Sequence, residues 1–270
     1  MDEYVDLVGH PTWVQDAGGD NPPLLLLHGG LVSSETSWGR PGKSVAEALG
    51  RDFRLIMFDR RGHGRTADTD APFHYSSMAD ETAAVIEHLG LAPVNVVGYS
   101  SGGNLLLHLA LTRPELLQAM VLLSANYHHD ALSPEALDLL DEAVASDGYF
   151  ARLYGARSVD GAGHWPVVAA KELQMSSTSE PTYEPADLAV IETPTLVLAA
   201  DDDMFPVAHS VSLYEALPNA QLAIVPNTSH GLVFEHPELV AGLIRAFFQH
   251  PQRLATSFPV HRPPSSPHED

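Results

Sequence analysis

The 270-residue sequence contains no cysteine, and that absence excludes disulfides, thiolate metal sites and cysteine nucleophiles. Positive charge is scarce: 14 Lys and Arg stand against 35 Asp and Glu, a formal net charge of -21. A chain of that sign repels nucleic-acid phosphates and anionic membrane surfaces, so neither is an expected partner. No apolar run approaches the roughly 20 residues that span a bilayer; Leu24 to Leu27, for example, has the size of a buried strand. The N-terminus, Met1-Asp2-Glu3-Tyr4-Val5-Asp6, is acidic and lacks the basic and apolar regions of a secretory signal, which predicts a cytoplasmic protein. No Gly-x-Gly-x-x-Gly follows a strand pattern, and Gly42-Lys43-Ser44 lacks the upstream glycine of a phosphate-binding loop. What is present is a globular composition, 44% hydrophobic and 18% charged, enough apolar side chain for a sizeable core.

Short apolar segments alternate with longer stretches of helical periodicity, which predicts an α/β protein with a mainly parallel sheet covered by helices on both faces. Tyr4 to Val8 and Thr12 to Gln15, split by Gly9-His10-Pro11, read as an opening hairpin. Leu24 to Leu27, Leu55 to Phe58, Val94 to Val97, Met120 to Leu123, Thr195 to Leu198 and Gln221 to Val225 complete eight strands. Helical spacing marks Ser44 to Leu49, Met78 to Leu89, Ser101 to Arg113, Val207 to Leu217 and Pro237 to Gln249. The stretch from Ala125 to Ile191 is too long for a connection and carries helical patterns of its own, Pro134 to Ala145 and Val167 to Met175. It predicts a cap over residues 125–191 inserted into a core of residues 1–124 and 192–250. Beyond His250, Pro251, Pro259, Pro263, Pro264 and Pro267 among Ser and His predict a disordered tail over 251–270.

One stretch carries the most chemistry. The β-branched run Val94-Asn95-Val96-Val97 passes through Gly98-Tyr99-Ser100-Ser101-Gly102 directly into an apolar helix pattern. Gly-x-Ser-x-Gly at a strand-to-helix junction is the pattern of a nucleophile elbow, where a strained turn exposes the serine and the glycines admit the crossing chain. A serine hydroxyl is a weak nucleophile at neutral pH and needs a general base held by a carboxylate. His230, in Ser229-His230-Gly231 after the last strand, suits the base. The carboxylate is expected after the preceding strand, where Asp201, Asp202 and Asp203 stand in a row. The chain order is then Ser, Asp, His.

Together these pieces resemble an α/β-hydrolase-fold enzyme of the serine esterase and lactonase type. The resemblance covers about residues 24 to 249 and includes Leu27-His28-Gly29-Gly30, Asp59-Arg60-Arg61-Gly62-His63-Gly64-Arg65-Thr66, the elbow at Ser100, the loop from Asp201 to Pro206, and Ser229-His230-Gly231. It implies an α/β-hydrolase fold with an inserted helical cap, and an oxyanion hole formed by the N–H of Ser101 and that of Gly30 or Leu31. Its acid loop favours Asp203, ahead of Asp202 and Asp201, although Ala200 replaces a frequent glycine. It further implies a cofactor-free reaction on a small-molecule ester or lactone; nothing in the residues specifies an oligomeric state. The alternatives are a slow-turnover ligand-binding receptor, and a lyase or carbon–carbon hydrolase on the same triad.

The remaining residues favour plainer roles. His128-His129-Asp130 is the densest histidine group, yet adjacent histidines on an extended segment are expected to point in opposite directions, and no metal is predicted. His28 and His63 sit in Gly-rich turns and read as structural or pocket-lining. Tyr149, Phe150, Tyr154, His164, Trp165 and Met175 either line an apolar pocket above Ser100 or pack the cap onto the core.

Overall fold

A computed structural model describes residues 2–39 and 44–252. Met1, residues 40–43 and residues 253–270, which include most of the expected tail, lie outside the described residues.

Eight strands form one sheet: β1 (Asp2–Leu7), β2 (His10–Asp16), β3 (Pro23–Leu27), β4 (Arg54–Phe58), β5 (Val94–Tyr99), β6 (Leu117–Leu123), β7 (Thr195–Asp202) and β8 (Ala220–Ser229). Their order is β1-β2-β4-β3-β5-β6-β7-β8. Only the pairings of β2, with β1 and with β4, are antiparallel; from β4 to β8 every pairing is parallel. The expected hairpin forms with a shorter turn than Gly9-His10-Pro11. Leu7 pairs with His10, leaving Val8 and Gly9 as a two-residue turn with φ of 54° and 74°. Positive φ at both turn positions matches the twist of the flanking strands, and that geometry outweighs the β-branched preference of Val8.

Helices α1 (Ser34–Trp38), α2 (Val45–Leu49), α3 (Tyr75–His88) and α4 (Ser101–Thr112) fill the first half of the chain. Between β6 and β7 lie α5 (Pro134–Ala143), α6 (Tyr149–Gly155), α7 (Trp165–Leu173), which continues as a π turn over Gln174–Ser179, and α8 (Pro185–Leu188). The last helices among the described residues are α9 (Val207–Ala216), α10 (Leu232–Glu235) and α11 (Pro237–Gln249). Two of these depart from their sequence patterns for visible reasons. The polar run of α1 shows no periodicity, but its amide end is held by Ser33, which accepts from the Thr36 N–H, and by Asp59 Oδ1, which accepts from Ser34 N at 2.9 Å and Ser34 Oγ at 2.6 Å. The start of α3 moves from Met78 back to Tyr75, whose ring is buried and whose hydroxyl accepts from Asn104 Nδ2 at 3.1 Å.

The two sheet faces bury alternate side chains. Leu25 and Leu27 of β3 join the cluster under α3, α4 and α9, while Leu24 and Leu26 join the cluster under α2 and α11. All four are at most 1% exposed, so each stabilises the fold by roughly 1.5–3 kcal/mol. Burial on both faces is why the central strands read as continuous apolar runs. Among the described residues no helix is long and apolar enough to cross a membrane.

The tightest crossing in the sheet lies at the end of β5. A Cβ on Gly98 would fall 2.4 Å from the Gly102 carbonyl oxygen, and one on Gly102 would fall 2.5 Å from that of His28. Both obstacles are backbone, which has no side chain to move aside. Gly98→Ala is therefore expected to lower the unfolding free energy by roughly 3 kcal/mol. Gly242→Ala in α11, where an added Cβ meets nothing within 4 Å, is expected to raise it by roughly 0.5–1 kcal/mol. Urea unfolding of the two variants measures the contrast, and equal effects would contradict the backbone argument.

Candidate active site

The parallel strands deliver their C-terminal ends, and the loops that follow them, to one edge of the sheet. Ser100 stands between β5 and α4 with φ 54° and ψ -124°, a conformation foreign to most side-chain-bearing residues. Its N–H donates to Leu123 O at 2.8 Å, and its carbonyl accepts from the N–H groups of Gly103 and Asn104 at 2.7 and 3.1 Å. The strained turn is thus tied to β6 on one side and to the first turn of α4 on the other.

His230 lies just beyond β8 with Nε2 at 2.9 Å from Ser100 Oγ and Nδ1 at 2.6 Å from Asp203 Oδ1. Of the three consecutive aspartates, it is Asp203 that reaches this ring. Its side chain is 1% exposed, and its other hydrogen bonds come from Ser124 Oγ at 2.6 Å, Ala200 N at 3.2 Å and Met204 N at 2.8 Å. Burial works to raise the Asp203 carboxyl, but the facing His230, the Ser124 hydroxyl and the Ala200 N–H outweigh it and hold it below the usual carboxylate range. Asp201 instead accepts from the N–H groups of Asn227 and Thr228 at 2.9 and 3.0 Å, pinning the end of β7 to the end of β8, just ahead of His230. Asp202 is exposed. Ser124, which follows β6 with φ 49°, belongs to no motif, and nothing in the sequence marks it.

A cavity of about 580 Å³ opens over Ser100 and His230, within the size range of small-molecule sites. Gly30, Leu31 and Ser101 border it beside Ser100. Leu31 takes φ 59°, so the loop after β3 is bent into the left-handed region at the cavity edge. The opposite wall comes from the segment between β6 and β7, through residues of α5 together with Tyr149 and Phe150. The other aromatic candidates separate from these. Tyr154, Trp165 and Met175 are buried in the core cluster, and His164 Nε2 meets Asp68 at 2.8 Å.

His28 and His63 take structural positions. The His28 ring accepts the Arg60 N–H at Nε2, 3.0 Å away, and the His63 ring packs between His28 and Phe73 at centroid distances of 5.1 and 5.8 Å. The rings of His128 and His129 do not point apart: a 3-10 turn beginning at His129 stacks them at 4.9 Å, correcting the expectation from an extended segment. Their ligand atoms and one from Asp130 lie within 4.8 Å of one another, but His128 Nδ1 already accepts the Asp130 N–H at 3.2 Å, and the group does not line the cavity.

Residues 22–161 match the α/β hydrolase fold family, just over half of the chain. The chain belongs to that family. Among relatives of this α/β hydrolase, "Putative carbamate hydrolase RutD" of Pseudomonas savastanoi pv. phaseolicola is 34% identical over 232 residues, covering 77% of this chain and 86% of the relative. The non-heme haloperoxidase of Rhodococcus erythropolis is 27% identical over 260 residues, covering 86% and 93%. The crystal structure of a carboxylesterase from Bacillus subtilis superposes with a TM-score of 0.71 at 23% identity, over 92% of this chain and 91% of that one, a likeness of fold.

The buried histidines make the fold of this hydrolase acid-sensitive. Burial, with Arg60 adding to it, pushes His63 down to about 4. Burial also pulls His28 well down and His209 down to about 4. In the unfolded chain the same rings protonate near 6.5. The unfolded state therefore binds more protons between those values, and stability is full above about 6.5 and is lost as pH falls toward 4. His63 alone is expected to remove about 2 kcal/mol between pH 7.5 and pH 5. Urea unfolding at the two pH values measures it, and a flat profile would contradict the burial argument.

Proposed function

We propose that the chain is a cofactor-independent serine hydrolase that cleaves a carboxylic ester or lactone through an acyl-enzyme on Ser100. The reading rests on the unbroken hydrogen-bond line from Asp203 Oδ1 through the His230 ring to Ser100 Oγ, at 2.6 and 2.9 Å. In this scheme His230 Nε2 takes the Ser100 proton as Oγ attacks the substrate carbonyl carbon. Asp203, which accepts the Nδ1–H, holds the ring's tautomer and balances the imidazolium. The N–H of Ser101 and that of Gly30 or Leu31 receive the carbonyl oxygen as it becomes an oxyanion. The tetrahedral adduct collapses, the alkoxide leaves with the proton from His230, and a lactone opens by the same step. Water, deprotonated by His230, then attacks the acyl carbon, and Ser100 departs with the returned proton.

In the same reading residues 125–191 are a cap on a core of residues 1–124 and 192–250, and the cap selects the substrate. That assignment draws on the cavity wall supplied by α5, Tyr149 and Phe150. A carbamate is the second reading, favoured by the 34% identical relative named for carbamate hydrolysis; Ser100 would then carry a carbamoyl group.

The test is hydrolysis of aryl esters with short, medium and long acyl chains, beside aryl carbamates. Ser100→Ala is expected to lower kcat/KM by at least about 10⁴-fold with an unchanged circular-dichroism spectrum. Asp203→Asn, which favours the wrong His230 tautomer, is expected to cost about 10⁴-fold in kcat. Retained turnover in Ser100→Ala would sink the mechanism, and binding without serine-dependent turnover would favour a receptor.

A further inference from the structure

One buried cation lies beneath both arms of the site. Arg60, just after β4, is fully buried, and every hydrogen bond of its guanidinium goes to a neutral acceptor. Its Nη2 donates to Gly29 O at 2.8 Å and to His28 O at 3.1 Å; its Nη1 donates to Ser101 Oγ and Met78 Sδ, both at 3.3 Å. The guanidinium therefore ties the loop after β3 to the first residue of α4. Glu172 lies near enough to feel its charge but takes no hydrogen bond from it. A desolvated cation without a bonded carboxylate is unfavourable for the fold; what it gains here is control of one peptide group.

That group is the peptide between Gly29 and Gly30. His28 Nε2 accepts the Arg60 N–H at 3.0 Å, so the neutral ring carries its proton on Nδ1 and donates it to Gly29 O at 2.7 Å. Gly29 O thus receives two donors, one of them cationic, and both come from side chains outside the cavity lining. The peptide is trans, so the Gly30 N–H points opposite to that carbonyl, toward the cavity that Gly29 and Gly30 border. It has no acceptor among the described residues. Turning the peptide over would strip Gly29 O of both donors and aim an N–H at the guanidinium. A Cβ built on Gly29 would fall 3.6 Å from that of Ser100, which sets this peptide beside the nucleophile. Ser101 opens α4, where helix geometry leaves its N–H without an intrahelical partner. The Leu31 N–H has no such hold: the Gly30 carbonyl, in the same peptide, accepts no hydrogen bond among the described residues.

We propose that Arg60 is a positioning residue for acyl transfer: by fixing the Gly29–Gly30 peptide and the Ser101 side chain from below, it makes the Gly30 N–H, and not that of Leu31, the partner of the Ser101 N–H in holding the oxyanion. The inference rests on the acyl-transfer reading of Ser100 and adds the group that organises its oxyanion hole. Two donors on Gly29 O also polarise the amide and strengthen its N–H. The gain is felt as charge develops on the substrate oxygen, and not when the substrate first binds.

Two measurements on the full chain test it: hydrolysis of 4-nitrophenyl butyrate, and inhibition by hexyl trifluoromethyl ketone, whose carbonyl takes up Ser100 Oγ and becomes an oxyanion, beside the matching carbinol, which binds without adding. Arg60→Met is expected to lower kcat by about 10²-fold, the order that one oxyanion donor is worth, with KM within about threefold. The ketone is expected to weaken by the same factor of about 10² while the carbinol stays within about threefold. Arg60→Lys keeps the charge, but one ammonium does not span both arms, and its loss in kcat is expected to be intermediate, about tenfold. An arginine with a merely structural part would move ketone and carbinol together. Unchanged kcat in a folded Arg60→Met, a rise in KM alone, or equal weakening of ketone and carbinol would each overturn the proposal. Where Arg60→Met does not fold, Ser101→Ala decides, since it removes one acceptor of the guanidinium and keeps the Ser101 N–H. A loss of about fivefold in kcat and in ketone affinity is then expected, and wild-type values overturn the proposal. Failure of the acyl-transfer reading is a distinct result: the wild type itself shows no Ser100-dependent turnover and binds the ketone no more tightly than the carbinol, and both readings fall.

Discussion

The site depends on how closely α4 crosses the end of β5. The two segments approach until the Gly98 and Gly102 backbones leave no room for a Cβ, and the chain between them reverses over a single residue, Ser100, at φ 54°. A looser crossing would let that residue relax to negative φ and turn its hydroxyl away from His230. Parallel strands make the crossing possible, because each delivers its end, and the chain after it, to the same edge. The strain at Ser100 is held by hydrogen bonds on both sides, one from its N–H to β6 and two to its carbonyl from α4.

The same edge gathers other unusual backbone. Among the described residues, five non-glycine positions have positive φ: Val8 turns the first hairpin, and Leu31, Ser100, Ser124 and Asn227 follow β3, β5 and β6 or lie within the end of β8. Each of the last four has a task at the site. Leu31 bends the loop at the cavity edge, Ser124 donates to Asp203, and Asn227 donates to Asp201 ahead of His230. Strain of this kind persists where surrounding contacts over-determine it, and here the contacts are the sheet itself.

Beneath the cavity lies a buried polar frame that joins the loops after β3 and β4 to α7. Asp59 caps α1 and accepts the Arg65 N–H; His28 accepts the Arg60 N–H; the Arg60 guanidinium donates to Gly29, His28 and Ser101. Glu172 closes the frame from the side of the inserted segment, its carboxylate oxygens without a hydrogen bond. Lys171, its neighbour, bonds both carboxylate oxygens of Asp68 at 3.0 and 2.8 Å, so α7 is anchored to the loop after β4 through one residue and faces the cavity through the next. The inserted segment is thus tied to the core beside the loops that carry the site.

Sequence alone determined what depends on local residue choice. Runs such as Leu24 to Leu27 specify doubly buried strands; Gly98 and Gly102 around Ser100 specify a turn only small residues allow; the order Ser100, aspartate loop, His230 specifies the topology that brings them together. Tertiary structure decided what depends on distant partners. Asp201, Asp202 and Asp203 are alike in type and neighbouring in position, and only the pairing of β7 with β8 and the place of Ser124 distinguish the one that meets His230. The polar helix α1 exists because Asp59, 25 residues further on, holds its first turn. Glu172 reads in sequence as one acidic residue on a helix; its burial against Gly30 arises because the fold carries α7 across 142 residues of chain to the loop after β3. Hydrogen bonds and charges act through space, and side-chain identity does not encode which groups the fold will place within their reach.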